Sequence, residues 1–261
     1  MDELALATVR AEFPNFRDLG GLPTTSGRQM RPGVVFRAQA PTGISAEAVA
    51  ALDTLGVRNL VDLRMPHERA EFAVALPPQF LIVVADVMEG HGDSVAAAAG
   101  AAREESKPIE SPAGGGKDRM METYRSFVSL ASAQAAYASF LRSVLRGEGA
   151  TAVYCAAGKD RTGWAAAIVQ TFAGIDRSTA ISSYVESNVN LVGRYQRRLA
   201  DAQESGADME ALRALIDAHP DYLMAAFERM DAQYGDIEGY LRQGLGMTAD
   251  ELTALQARLV Q

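Results

Sequence analysis

The side chain with the most reactive chemistry in this sequence stands at the end of an apolar run. Cys155 is the only cysteine among 261 residues, and it ends the segment ATAVYC. The loop AAGKD follows, and Arg161 and Thr162 then open a helical pattern. A lone cysteine usually acts as a small buried apolar residue. The order of strand, glycine-containing loop and helix indicates a reactive one here.

The same order predicts an anion site. Gly158 gives the loop a position without Cβ constraint. Successive backbone N–H groups of such a loop converge on one point, beside the positive end of the following helix. That field lowers the pKa of a thiol and favours a nucleophilic thiolate at Cys155. Arg161 offers a planar fork for two phosphate oxygens, and Thr162 can hydrogen-bond the sulfur.

We therefore predict that Cys155 and Arg161 are catalytic and that the whole loop holds a phosphate or another oxyanion. Lys159 is expected to add positive potential and to widen acceptance towards highly phosphorylated lipids, with a solvated lysine as the alternative. The predicted substrate-binding residues are Ala156, Ala157, Gly158, Lys159, Asp160, Arg161 and Thr162.

The oxygen that leaves phosphorus needs a proton, which an aspartic acid can donate. Asp86 follows the run FLIVVA, where a parallel sheet presents its active-site edge. Asp160 lies inside the loop itself. Each has a structural alternative, a turn or helix cap for Asp86 and a hydrogen bond within the loop for Asp160. Asp86 is favoured as the acid, while Asp160 could replace it or orient the attacking water.

The elements that must position these residues predict an α/β fold. Apolar runs at 33–38, 57–64, 80–87 and 150–155 are typical of strands, and helical patterns separate them. This alternation predicts a mainly parallel central sheet flanked by helices, followed by a helical C-terminal part. The run at 80–87 is apolar apart from Asp86, which predicts a strand buried on both faces. Ser45, Asp176 and the pair Thr248 and Glu251 are predicted helix caps.

The chain is expected to form a single domain over residues 1–261, interrupted by one unusual segment. Residues 87–117 lack a sustained apolar face and end in Pro-Ala-Gly-Gly-Gly before the lysine. A structureless loop of this length is rare in a compact domain unless it is functional or disordered. The segment is either a tolerated surface insertion, with a short helix within it, or a lid over the site.

Composition narrows the classes of function. The net charge of −8 gives no general attraction to nucleic acid or anionic lipid. One cysteine excludes an internal disulfide and a thiolate metal cluster. His67, His91 and His219 lie far apart, so we predict neither metal nor cofactor. No apolar window reaches about 18 residues, and the start is acidic. We expect no stable membrane insertion and a cytoplasmic location, with non-classical secretion left open.

The loop CAAGKDRTG resembles the phosphate-binding loop of the cysteine-dependent protein tyrosine phosphatases, in particular a bacterial branch with Cys-x-x-Gly-Lys-Asp-Arg-Thr-Gly. Five further segments are similar to that branch in matching order, so that the resemblance spans roughly residues 13–245. They are NFRDLGG at 15–21, FRAQ at 36–39, LVDLR at 60–64, YRSF at 124–127 and YVESN at 184–188.

The resemblance implies two-step phosphoryl transfer through a phosphocysteine, without a metal. It also implies that the insertion lies where some family members carry a helical lid. Its expected substrates are phosphotyrosine, and also phosphoserine, phosphothreonine or phosphoinositides. Charges in the matching segments, at Arg17, Asp18, Asp62 and Arg64, are predicted to form a salt-bridged scaffold near the pocket, with direct substrate contacts as the alternative. The family usually has a histidine before the cysteine. Here Tyr154 stands there, which predicts a weaker or differently tuned thiolate.

Two other functions stay open at the level of sequence. The loop of a non-catalytic module could bind phosphorylated ligands without turning them over. A sulfurtransferase or an arsenate-handling enzyme would also use a cysteine in a loop, although the Lys-Asp-Arg-Thr-Gly continuation speaks against it.

Overall fold

The computed structural model describes residues 1–91 and 116–261. A five-stranded sheet lies at its centre, with the strand order β1-β2-β5-β3-β4. β1 is antiparallel to β2, and all other neighbouring strands are parallel, which confirms the predicted α/β class. The strands are β1 (Arg17–Asp18), β2 (Val35–Gln39), β3 (Val57–Asp62), β4 (Leu81–Val84) and β5 (Ala150–Cys155).

Helices flank this sheet and make up the C-terminal part. Before β5 they are α1 (Glu3–Glu12), α2 (Ala46–Thr54), α3 (Pro66–Glu71), α4 (Gly116–Ser129) and α5 (Ala131–Arg146). After β5 they are α6 (Asp160–Phe172), α7 (Arg177–Val185), α8 (Ser187–Asn190), α9 (Val192–Glu204), α10 (Met209–Ile216), α11 (Pro220–Tyr234), α12 (Ile237–Gly239), a π-helical turn (Tyr240–Gly244) and α13 (Ala249–Leu259).

The predicted caps are confirmed. The side chains of Ser45 and Asp176 accept hydrogen bonds from the first turns of α2 and α7. Thr248 and Glu251 form a reciprocal capping box at the start of α13. These local signals fix helix starts because they satisfy N–H groups that have no partner inside the helix.

Side-chain alternation along β5 divides the core into two layers. Val153 and Cys155 belong to the larger apolar cluster, which includes residues of α4, α5, α6, α11 and α13. Ala152 and Tyr154 belong to the smaller cluster on the other face, which includes residues of α1 and α2. Successive strand residues point to opposite faces, so the cysteine and the tyrosine before it face different layers.

One strand differs from its prediction. β4 lies at the edge of the sheet, and Leu81 and Val84 are 59% and 55% exposed. The expectation that this strand is buried on both faces was wrong, because an apolar run does not reveal how many neighbours a strand has. The proposed insertion or lid falls mostly on residues 92–115, outside the described residues. Within the described ranges, no helix combines the length and the apolarity needed to cross a membrane.

Candidate active site

Side chains from other parts of the chain hold the loop after β5 by donating hydrogen bonds to its carbonyl oxygens. Asn15 Nδ2 donates to the oxygens of Ala157 and Gly158 at 3.0 and 2.9 Å. Arg37 Nη2 donates to the oxygens of Gly158 and Lys159 at 2.6 and 3.2 Å. In the described parts of the chain, no backbone N–H of residues 156–159 donates to a protein backbone oxygen. The N–H groups are thus left for a ligand, as an anion site requires.

Gly158 permits this arrangement for two reasons. Its φ of +67° lies in the left-handed region, which residues with a Cβ rarely adopt. A Cβ at this position would also lie 2.2 Å from the carbonyl oxygen of Ala38 in β2. The loop therefore packs directly on the end of the neighbouring strand, and only glycine fits there.

Cys155 is buried at the start of the loop. Burial by itself would raise the pKa of its thiol. The positive charge of Arg161 and the hydrogen-bonding groups of Thr162 outweigh burial, and the pKa lies below its ordinary value. A lowered thiol pKa is the condition for a thiolate nucleophile near neutral pH.

Arg161 is held in place by Glu68 of α3, a residue that the sequence analysis did not select. Nη1 and Nη2 of Arg161 lie 2.6 and 2.8 Å from the two carboxylate oxygens of Glu68, and both side chains are buried. Nη1 also approaches the oxygen of Leu63 at 3.4 Å. Each terminal nitrogen carries two hydrogens. The Nε–H and the second Nη2–H thus form a side-on fork that can hold two phosphate oxygens.

The two candidate acids have different surroundings. Asp86 is partly buried two residues beyond β4. Its Oδ1 accepts from the N–H of Met88, and burial raises its pKa in spite of the nearby charges of Arg69 and Arg161. Asp160 Oδ1 instead lies 2.8 Å from the Tyr124 hydroxyl. A raised pKa keeps a carboxyl group protonated to higher pH, as a general acid needs.

Lys159 is directed into the protein. Its Nζ donates to the oxygens of Leu215 and Ile216 at 2.7 Å each and approaches that of Asp217 at 3.4 Å. It also lies 3.6 Å from Asp160 Oδ1, and its side chain is 2% exposed. The lysine thus binds the C-terminal carbonyls of α10, and the alternative of a solvated lysine does not hold.

The residue before the cysteine lies on the opposite face of the sheet. Tyr154 is fully buried, and the guanidinium of Arg64 lies 5.4 Å from the centre of its ring. Burial raises the pKa of Tyr154, so the phenol is neutral. Arg64 also binds both carboxylate oxygens of Asp62, which confirms this pair of the predicted scaffold.

The other two predicted scaffold charges, Arg17 and Asp18, have separate partners, and of these two only Arg17 forms an ion pair within the described residues. Arg17 binds Ser183 and lies 3.4 Å from Glu186, while Asp18 accepts from the N–H groups of Gly20 and Gly33. Adjacent strand residues point to opposite faces, so each finds its own partner.

Three residues at the site were missed. Asn15 and Arg37 stand in segments that resemble the phosphatase branch, so that resemblance held a signal for them. Glu68 had none, because its meeting with Arg161 depends on how α3 folds back against the loop.

The sequence is similar to known proteins along most of the chain. Residues 10–261 match the sequence model of the tyrosine phosphatase family. The chain is 32% identical over 251 residues to a Cupriavidus necator protein named putative tyrosine-protein phosphatase, covering 96% of this chain and 86% of that protein. It is 26% identical over 257 residues to the triple specificity protein phosphatase PtpB of Mycobacterium tuberculosis, covering 87% and 90%. A tyrosine-protein phosphatase of Nostoc commune is 30% identical over 127 residues, 47% of this chain and 43% of that protein.

Proposed function

The chain belongs to the tyrosine phosphatase family, and from that premise we propose that it hydrolyses phosphotyrosine through a phosphocysteine at Cys155. The observation that supports this most directly is geometric: the buried Cys155 thiol stands at the start of a loop whose N–H groups, in the described parts of the chain, bind no backbone oxygen. The lowered pKa of that thiol, caused mainly by Arg161, agrees with it. Phosphoserine, phosphothreonine and phosphoinositides are proposed as further substrates. The Mycobacterium relative is named a triple specificity phosphatase, which supports testing more than one class.

The first step is attack of the Cys155 thiolate on phosphorus. The S–P bond forms while the P–O ester bond breaks, and the leaving oxygen takes a proton from Asp86. The free fork of Arg161 and the loop N–H groups bind the other three oxygens, where negative charge is spread in the transition state. Most of the rate enhancement is expected from this positioning.

The second step is hydrolysis of the phosphocysteine. Water attacks phosphorus, Asp86 as a carboxylate takes a proton from that water, and the S–P bond breaks to restore the thiolate. Inorganic phosphate leaves. Asp160 accepts a hydrogen bond from Tyr124, which supports a role in holding the loop rather than in proton transfer.

The test is phosphate release by the wild type and by Cys155→Ser, from p-nitrophenyl phosphate and from a phosphotyrosine peptide. We expect the variant to lose turnover while its circular dichroism spectrum stays unchanged. Rapid acid quenching with labelled substrate should trap phosphate on wild-type protein alone. A folded wild type that binds phosphopeptide without turning it over would refute the proposal and favour a binding module. Persulfide formation from thiosulfate would favour a sulfurtransferase instead.

A further inference from the structure

Arg37 is a buried cation directly beneath the loop. It lies in the middle of β2, and its side chain is inaccessible to solvent. Its Nη2 donates to the loop carbonyls of Gly158 and Lys159. Its Nε and Nη1 are buried and have no hydrogen-bond partner among the described residues. Burial of a charged group is costly unless an opposite charge accompanies it, so the surroundings of this arginine need an anion.

In residues 1–91 and 116–261, no carboxylate oxygen lies at ion-pair distance from Arg37. Five basic residues are buried in the described parts of the chain, and four of them lie 2.6 to 3.6 Å from a carboxylate oxygen. These pairs are Arg17–Glu186, Arg64–Asp62, Lys159–Asp160 and Arg161–Glu68. Among the described residues, Arg37 alone of the five has no such pair.

The sheet register places Arg37 on the same face as the cysteine. Arg37 pairs with Val153, and Gln39 pairs with Cys155, in parallel strands. Partner residues and residues two apart share a face. Burial lowers the pKa of Arg37, and Cys155 is the foremost charged group that opposes this effect.

The first turn of α6 adds to the positive electrostatic potential around Arg37. A Cβ at Gly163 would lie 3.9 Å from Arg37 Nη2, so the guanidinium sits close to the start of that helix. A helix N-terminus carries partial positive charge. The cation and the helix end therefore act on the same small volume, and neither neutralises the other.

We propose that Arg37 is a positioning residue whose unpaired buried charge is balanced by the Cys155 thiolate and, once substrate binds, by the phosphoryl group. At the same time, Arg37 Nη2 binds the carbonyl oxygens of Gly158 and Lys159 and so keeps them turned away from the anion. Arg161 acts on the sulfur more strongly than Arg37, but Glu68 neutralises Arg161. Among the buried cations of the described residues, Arg37 is the one without a carboxylate at ion-pair distance, and Glu186 acts on it only from further away. It therefore adds to the attraction of the free enzyme for an anion.

Other titratable groups also face this pair. Cys155 interacts with Arg161, Asp160 and Tyr137. Arg37 interacts with Tyr124, Tyr184, Glu186 and Arg17. Burial raises the pKa of each of these three tyrosines, so their phenols stay neutral where the thiol titrates. A titration in this pH range therefore reports the protonation of the Cys155 thiol and not that of these tyrosines.

The test compares Arg37→Met, which removes the charge, with Arg37→Lys, which keeps it. The readout is the ultraviolet absorbance of the thiolate as pH is raised, with Cys155→Ser as the blank. Since Cys155 is the only cysteine, the difference reports this thiol alone. In Arg37→Met we expect about tenfold less thiolate at a fixed pH on the rising part of the curve, which corresponds to a pKa increase of about one unit. Arg37→Lys should stay close to wild type.

A folded Arg37→Met protein with an unchanged thiolate curve would overturn the proposal and reduce Arg37 to a clamp on loop carbonyls. If Arg37→Met does not fold, Arg37→Gln carries the same test, because its amide can still donate to a loop carbonyl. The inference rests on the proposed nucleophile. The absorbance reports the thiolate even if the wild type hydrolyses no phosphate ester, so failure of the proposed function and failure of this inference are distinguishable.

Discussion

At the scale of single residues, two aspartates differ in chemistry because their neighbours differ. Asp86 is partly buried and lies within the electrostatic reach of Arg161. Asp160 bonds to a buried phenol and lies near Lys159. These contacts hold the Asp160 side chain within the loop, which suits a structural role. The protonated form is favoured at Asp86, where burial raises the pKa.

Asp86→Asn is predicted to lower kcat by about 10²- to 10⁴-fold, the usual contribution of a general acid. The basic limb of the pH–rate profile should disappear in this variant, because that limb reports a group that must be protonated. The limb should persist in Asp160→Asn, the matched control. The loss should be larger for phenyl phosphate than for p-nitrophenyl phosphate, whose leaving group needs a proton less. A retained basic limb in Asp86→Asn would exclude Asp86 as the acid.

Glu68→Gln is predicted to lower kcat/KM at least tenfold and to destabilise the protein by about 3–5 kcal/mol. The variant keeps the shape of the side chain and can still accept from the N–H of Met65, but it leaves the guanidinium of Arg161 unpaired. Inorganic phosphate should restore part of the melting temperature, since it pairs with the same guanidinium. Unchanged kcat/KM would show that Arg161 is held by other contacts.

At the scale of elements, the loop is fixed by segments that are distant in sequence. Asn15 precedes β1, Arg37 lies in β2 and Glu68 lies in α3. Lys159 then joins the loop to the C-terminal end of α10, whose last carbonyls have no partner inside the helix. A small apolar cluster between α9 and α10, formed by Ala202, Leu212 and Ile216, packs these two helices together. Lys159 is therefore the main described polar link between this helix pair and the loop.

Lys159→Met is predicted to loosen α10, because three carbonyls at its end lose a charged donor. We expect faster proteolysis within residues 205–217 and a lower melting temperature. Lys159→Arg should show a smaller effect, since it retains donors and charge. If the lysine instead serves highly phosphorylated substrates, KM for a phosphoinositide would rise while proteolysis stayed unchanged.

At the scale of the whole molecule, the C-terminal helix ties distant parts together. Val260 pairs with Met30 as an isolated β-bridge. Leu255 and Leu259 of α13 are fully buried in the larger cluster. Glu251 forms an ion pair with Arg142 of α5 at 2.8 Å. The end of the chain thus closes the core that also carries the cysteine.

Glu251→Gln is predicted to remove a pH-dependent part of stability. The bond from Arg142 and the cap at Thr248 lower the pKa of Glu251 to about 2. Its stabilisation is full above the ordinary pKa of a glutamic acid and is lost as the pH falls from about 4.3 towards about 2. The free energy of unfolding at pH 7 should fall by about 1 kcal/mol in the variant. Denaturant titrations at pH 7 and pH 3 measure this difference, and an equal difference at both pH values would contradict it.

The sequence alone determined the features that depend on near neighbours. The order of strand, loop and helix around Cys155 follows from local propensity, and so do the caps at Ser45, Asp176 and Thr248. A left-handed glycine at 158 is a local requirement too. Such signals act over only a few residues along the chain. The residues that give the loop its chemistry lie within that distance of one another, so the sequence alone could identify them.

Only the tertiary structure decided which distant charges meet. Nothing near Glu68 in sequence predicts its pairing with Arg161, and nothing near Lys159 predicts that it ends among the carbonyls of α10. The edge position of β4 was hidden for the same reason. Burial and charge pairing depend on which elements pack together, and the cost of an unpaired buried charge is set by that packing. The protonation state of Cys155 therefore depends on the tertiary structure, although the sequence alone identified the cysteine as the reactive residue.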